Sequence, residues 1–250
     1  MNHCHGFGHH HYVKHKLQFT IDRQPDEVTC GPTCLQAIYR YFGDTVPLDQ
    51  IIAETPRFRE GGTLAVMLGC HALKRGYHAV IYTYNLQVFD PTWFRNADVD
   101  LSERLTAQLA VKPNARLQAA SAAYLEFLAL GGEIRMEDLT AALIRKYLKR
   151  SVPVLAGLSS TYLYQESREV GPDCRADDLA GEPSGHFVVL SGYDPVEGSV
   201  LVADPWLPNP SNAHHYVVGL DRAVCSILLG IVTYDANLLI LRPGDPFEPA

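Results

Sequence analysis

The run Gly185-His186-Phe187-Val188-Val189-Leu190-Ser191-Gly192-Tyr193 is apolar and β-branched, as is Ser199-Val200-Leu201-Val202-Ala203-Asp204, and Asp194-Pro195-Val196-Glu197-Gly198 lies between them. Two such runs around a turn bearing proline and glycine read as a β-hairpin, the clearest in the chain. A chain built on it needs an antiparallel sheet. The hairpin also places two polar residues. With the turn centred near Val196, residues whose numbers sum to about 390 or 392 are partners. Asp204 then lies opposite His186 or opposite Val188, and either register brings the carboxylate and the imidazole to one face. A slip of one residue would separate them.

The second informative stretch is Gln24-Pro25-Asp26-Glu27-Val28-Thr29-Cys30-Gly31-Pro32-Thr33-Cys34-Leu35. Pro32 suits the first turn of a helix, where its missing N–H costs nothing, and Thr29 is placed to cap it. Leu35, Ile38, Tyr39 and Phe42 recur at helical spacing, and Gly43 follows as a stop. Cys30 therefore stands at the N-terminal end of a buried helix. The free amides and the helix dipole there favour an anion, which suits a reactive thiolate. Cys34, one turn further on beside Leu35 and Ile38, reads as a small buried hydrophobe.

A thiol nucleophile needs a base within hydrogen-bond reach, and the base needs a third group to fix it. Outside the first sixteen residues, His71 falls on a helix, His78 on a strand and His214-His215 near a strand start. His186 alone opens a strong hairpin. Taken singly, His186 is an ordinary strand residue and Asp204 an ordinary strand end. Taken with Cys30, they compose a nucleophile, a base and an orienting carboxylate. Gln24, six residues before Cys30, joins them as an oxyanion donor beside the Cys30 amide, although a lone glutamine before proline is more often a surface residue.

The rest of the chain reads as an α+β domain over residues 17–242. Leu17 to Ile21 is expected as a short strand, Pro47 to Glu54 and Leu64 to Arg75 as helices, and Tyr77 to Tyr84 as a strand. Gly61-Gly62-Thr63 makes a turn with a capping residue. From Asn85 to about Met136 there is no strand signal; Leu101–Val111 and Ala115–Leu130 are helical, and residues 85–136 read as a helical insertion. A helix at Glu137–Arg150 and a strand at Ser151–Ser159 follow. Thr161 to Pro183 is polar and irregular, and its acidic patch (Asp173, Asp177, Asp178, Glu182) is read as a solvated loop rather than a cation site. Strands at His214–Val218 and Asn237–Arg242 flank a helix at Leu220–Leu229, and residues 243–250 are a tail. The insertion and the 160–184 loop are expected to wall the cleft.

Residues 1–16 hold six of the eleven histidines (His3, His5, His9, His10, His11, His15) together with Cys4. Such a cluster suits zinc, copper or nickel, but no ligand spacing repeats, and a flexible His-rich tail is the simpler reading. The net charge of −7 and the lack of a basic run argue against a nucleic-acid partner. No apolar run reaches membrane-span length, no signal-peptide core is present, and six irregularly spaced cysteines do not look like a disulfide framework. A cytoplasmic protein without cofactor or metal is expected, and its oligomeric state is left open.

Gln24, then Cys30-Gly31-Pro32-Thr33-Cys34-Leu35, Gly43, Gly62-Thr63, Gly185-His186-Phe187-Val188-Val189 and Asp204-Pro205 resemble family thirty-nine of the cysteine peptidases. Its best-known members are papain-like domains that cut bacteriocin precursors after a double-glycine leader. The likeness is closer to the stand-alone, transporter-free branch, and it spans roughly residues 17–84 and 137–241. It implies a papain-like α+β fold, with a helical half carrying Cys30 packed on a twisted antiparallel sheet carrying His186 and Asp204. It also implies Cys30 as nucleophile, His186 as base, Asp204 as orienting group and Gln24 as oxyanion donor. The insertion has no place in the minimal family domain. No ATP-binding cassette or membrane segment follows, so the export role is not carried over. The expected activity is hydrolysis of a peptide or isopeptide amide through an acyl-enzyme, with a peptide or modified peptide as partner. Acyl transfer to an amine by the same machinery, and non-catalytic peptide binding by the same fold, are the alternatives.

Overall fold

The computed structural model describes residues 15–58, 62–96, 98–171 and 173–244. Nearly all of the His-rich stretch read as a flexible tail, and most of the C-terminal tail, therefore lie outside the described residues.

In chain order the elements are β1 (His15–Lys16), α1 (Cys30–Tyr41), α2 (Leu48–Glu54), α3 (Ala65–Lys74), β2 (Tyr77–Thr83), α4 (Leu101–Val111), α5 (Ala115–Ala129), β3 (Glu133–Arg135), α6 (Ala141–Leu148), β4 (Val154–Ser159) and α7 (Ser160–Tyr164). They continue with β5 (Glu169–Val170), β6 (Arg175–Ala176), β7 (Gly185–Asp194), β8 (Ser199–Ala203), β9 (His215–Gly219), α8 (Leu220–Leu229) and β10 (Asn237–Pro243). The main sheet runs β3-β2-β10-β4-β7-β8-β9, and β1 joins β7 beyond the end of β4.

Three local expectations are corrected. β3 lies where no strand is expected; three residues are too few to show alternation, and the edge of β2 supplies the pairing. That pairing is parallel, so the sheet is mixed rather than purely antiparallel. Leu17 to Ile21 is not a strand. Pairing stops at Lys16 and at the bond from Leu17 N to Ser191 O, after which Phe19 and Ile21 turn into the core. The 161–183 segment is also less irregular than expected, because it holds most of α7 and the small β5–β6 hairpin.

Alternation along the strands divides the interior in two. Phe187, Val189, Ala203, Leu239 and Ile81 face α1, α3 and α5. Val188, Leu190, Val202, Ile240 and Val154 face α6 and α8. Both faces of the sheet are thus covered, which is why its central strands read as continuous apolar runs. The insertion helices belong to the first core. Leu105, Leu117, Tyr124 and Phe127 are buried there, and a Cβ added to Gly69 of α3 would come within 2.6 Å of the Phe127 ring. Glycine lets α3 and α5 approach that closely.

The late hairpin contains a bulge. Asp194 pairs with Ser199, Tyr193 with Val200 and Gly192 with Leu201, but Leu190 then pairs with Val202 and Val189 with Ala203. Ser191 is the extra residue. Paired numbers sum to 393 at the turn and 392 at the mouth. Without the bulge, Asp204 would continue opposite Val189, on the face away from His186; with it, Asp204 continues opposite Val188.

Candidate active site

Cys30 is the first residue of α1. Thr29 occupies the cap position, but its hydroxyl is not spent on the first-turn amides; it donates to Asp26 O at 3.3 Å. The expected side-chain cap is thus absent. Thr33 steadies the turn instead, its amide and hydroxyl both donating to Thr29 O at 3.0 and 2.8 Å. Gly31 allows the helix start to press on its neighbours: a Cβ there would lie 2.8 Å from Thr63 Cγ2 and 3.2 Å from Phe187. The residue after Cys30 is therefore wedged between the start of α3 and β7. The Cys34 thiol donates to Phe187 O at 3.3 Å, and burial, with the neighbouring Cys30 and Asp204, pushes it well up. It is a packed, unreactive thiol.

His186 stands second in β7, its side chain 8% exposed, and its Nε2–H donates to Asp204 Oδ1 at 2.9 Å. That bond leaves Nδ1 as the unengaged ring nitrogen, and Cys30 is the imidazole's other side-chain partner. Burial pulls the imidazole toward neutrality. The Asp204 carboxylate and the Cys30 sulfur outweigh it and raise His186 to about 10. Asp204 follows the last residue of β8 and is completely buried. Burial works to raise its pKa, but the charge and hydrogen bond of His186 and the donors from Tyr216 and the Trp206 amide hold it below the usual carboxylate range.

Two residues at this site are not anticipated from the sequence. Tyr164 and Tyr216 both donate to Asp204 Oδ2, at 2.8 and 2.6 Å. Tyr216 was findable. It pairs with Val202, and Val202 shares a face with Asp204 two residues on. Tyr164 leaves no local signal, since it ends a five-residue helix inside a polar stretch. Asp204 is also clamped through its backbone: its amide donates to His214 O at 2.8 Å, and His214 Nδ1 donates to Asp204 O at 2.7 Å.

Gln24 is buried, and its backbone amide donates to Pro205 O at 2.9 Å, tying the approach to Cys30 to the residue after Asp204. Its Nε2 donates to Asp26 O at 2.7 Å, which uses one of two amide hydrogens and fixes the plane of the other. A cleft opens beside Gln24 and His186, lined also by Glu27, Tyr164, Glu169 and Trp206, while Cys30 is buried and not among its lining residues. The 160–184 segment supplies one wall of it. Its far end reaches across: Cys174 Sγ donates to Glu27 Oε2 at 3.3 Å. The insertion supplies none of the lining, contrary to expectation, because its apolar face is consumed by the core behind α3. The other histidines have different work. His71 bridges Tyr39 and Glu54, and His215 Nε2 donates to Phe19 O at 3.0 Å. Among the described residues no cluster of His, Cys, Asp and Glu is arranged to hold a metal ion, and no helix is long and apolar enough to cross a membrane.

A helix-borne cysteine against the end of a sheet that carries histidine and aspartate, on a papain-like α+β fold, is the architecture of a cysteine peptidase-like thiol hydrolase. The model of the Peptidase_C39-like family matches residues 12–218, and the chain belongs to that family. Similar solved structures include a putative C39-like peptidase from Bacillus anthracis, at 15% identity and TM-score 0.49 over 92% of this chain and 98% of that one. A double-glycine motif protease from an AMS/PCAT transporter, in complex with the leader peptide, is similar at 14% identity and TM-score 0.45, over 92% of this chain and 95% of that one. The peptidase domain of Streptococcus ComA, a bi-functional ABC transporter of a quorum-sensing pathway, is similar at 14% identity and TM-score 0.41, over 90% and 98%. No match was found among curated proteins.

Proposed function

We propose that the protein hydrolyses a peptide or isopeptide amide with Cys30 as nucleophile, His186 as base, Asp204 as orienting carboxylate and Gln24 as oxyanion donor. The reading is supported above all by one convergence: the Cys30 thiol at the start of α1 and the Asp204 carboxylate are both partners of a single imidazole. With the thiol proton on His186, the Cys30 sulfur attacks the substrate carbonyl. The resulting oxyanion is received by the Cys30 backbone N–H and the free amide hydrogen of Gln24. His186 then protonates the leaving amine, and the C–N bond breaks to give a thioester. Water, deprotonated by His186, adds to the thioester and releases the acid and the thiol. Glu27, Glu166 and Glu169 line the cleft, and no lysine or arginine does among the described residues, which favours neutral or basic peptides.

The test needs no known substrate. Iodoacetamide at neutral pH, followed by peptide mapping, should modify Cys30 far faster than Cys174. Cys174 is exposed, yet burial and the carboxylates of Glu27 and Glu169 push it up to about 11. Equal labelling of the two would defeat the reading. A peptide-library screen should then show turnover by the wild type and none by Cys30→Ala. Adding a primary amine to the assay separates hydrolysis from acyl transfer by its products.

A further inference from the structure

Asp204 poses a problem that the three-residue account leaves unsolved. It has no exposure to solvent at all. A lone carboxylate taken that far from water binds a proton rather than remain charged, and a neutral Asp204 gives His186 no charge to lean on. His186 and the Trp206 amide serve Oδ1, at 2.9 Å each. Oδ2 faces away from the imidazole and would be bare without the two phenols.

The geometry points to Tyr164 and Tyr216 as positioning residues for the reaction, which hold Asp204 ionised and fix the plane of its carboxylate through paired hydrogen bonds to Oδ2. This rests on the proposed function and adds two residues to its machinery. Neither phenol makes a hydrogen bond to His186 or Cys30; both act through Asp204. They approach from different structures. Tyr216 is fixed by the register of β9 on β8, whereas Tyr164 closes α7 and lines the cleft with its ring 6.1 Å from the His186 ring. One donor belongs to the rigid sheet and the other to the cleft wall. The titratable groups around Asp204 are His186 from β7, Tyr164 from α7, Tyr216 from β9, His214 just before β9, and Cys30 and Cys34 from α1. Burial and the Asp204 charge push both tyrosines far up, so each stays a donor across the working range.

The sign of the effect follows. Removing a donor from Oδ2 makes the carboxylate more basic, so Asp204 takes up its proton at higher pH. His186 then loses its charged partner earlier as pH falls, and with it the support that lets it act as base toward Cys30. The experiment is the pH profile of Cys30 alkylation by iodoacetamide in the full chain, for wild type, Tyr164→Phe, Tyr216→Phe and the double variant. The acid limb should move up by about one pH unit in each single variant, equivalent to about 1.4 kcal/mol, and further in the double. The rate on the plateau should fall only a few-fold. A parallel ¹³C titration of the Asp204 carboxyl should show the same upward movement, and it reads Asp204 even where the thiol labels slowly. Melting curves identify any variant that has merely lost its fold. An unmoved acid limb, or a uniform loss of rate at every pH, overturns the inference while selective labelling of wild-type Cys30 leaves the hydrolase reading standing. Absence of selective labelling in the wild type brings down both.

Discussion

The insertion at 85–136 and the segment at 160–184 are the two long connections in the chain, and they do opposite work. The insertion places Leu105, Leu117, Tyr124 and Phe127 in the interior, with Phe127 set against Gly69. The 160–184 segment buries Ser160 and Leu163, then folds a small hairpin over the cleft and touches Glu27 through Cys174. In sequence the first reads as an insertion into a minimal domain and the second as a polar, irregular loop. Their composition already separates them: α5 repeats alanine, leucine and aromatic residues at helical spacing, whereas 165–184 is mostly polar. A connection that can bury apolar area joins the core, and one that cannot stays where substrate arrives.

The contrast can be broken most forcefully at Phe127. Phe127→Ala leaves a cavity against Gly69 and should cost about 3–5 kcal/mol in chemical denaturation. If it costs little, the insertion is an appendage after all. Iodoacetamide selectivity for Cys30 should survive in the folded fraction.

Asp235 sharpens the same point at smaller scale. Its carboxylate takes the place of the missing cap on α3: Oδ1 accepts from Ala65 N at 3.1 Å and from Asn237 Nδ2 at 2.8 Å, with Arg116 and Tyr124 of the insertion close by. Thr63, the expected cap, donates instead to Pro56 O. Burial raises Asp235 to about 7, opposed by Asn237, the Ala65 amide and Arg116. The folded state therefore holds this proton above the pH at which the unfolded chain releases it. The stability linked to it is complete below about pH 4 and is lost as pH rises to about 7. Asp235→Asn keeps an acceptor for the Ala65 amide and removes the titration. It should stabilise the protein at pH 8, on the order of 2 kcal/mol, and change little at pH 4. Equal effects at both pH values would show that the carboxyl does not titrate in this range.

The smallest stability effect belongs to the cleft wall. Replacing residues 171–174 with a short glycine-serine turn should shift stability by under about 1 kcal/mol. The same change should alter which members of a peptide library are cut. Unaltered preference would remove this segment from substrate choice.

Much of the site was legible because alternation is a strong constraint. Either even register of the late hairpin put His186 and Asp204 on one face, and Cys30 followed from the proline and glycine around a helix start. What escaped was set by contacts between distant parts of the chain. The Ser191 bulge cannot be seen in a run of β-branched residues, and the register at the turn alone would have put Asp204 on the wrong face. Thr29 and Thr63 each looked like a helix cap, but Asp26 and Pro56 competed for their hydroxyls and won. Tyr164 reached Asp204 across forty residues of sequence. The three-residue strand β3 was too short to carry a pattern of its own.

Ser191 gives the hairpin a rule of parity. At its tip the two strands count in odd sums, and at its mouth in even ones. With the tip pairing kept, lengthening the turn by one residue leaves Asp204 opposite Val188 if the bulge vanishes with it, whereas shortening it by one without the bulge moves Asp204 opposite Leu190. Changes by two keep Asp204 on the face of His186 but slide it two residues along β7. The length of this turn is therefore bound to what happens at Ser191, several residues away from either member of the pair it aligns.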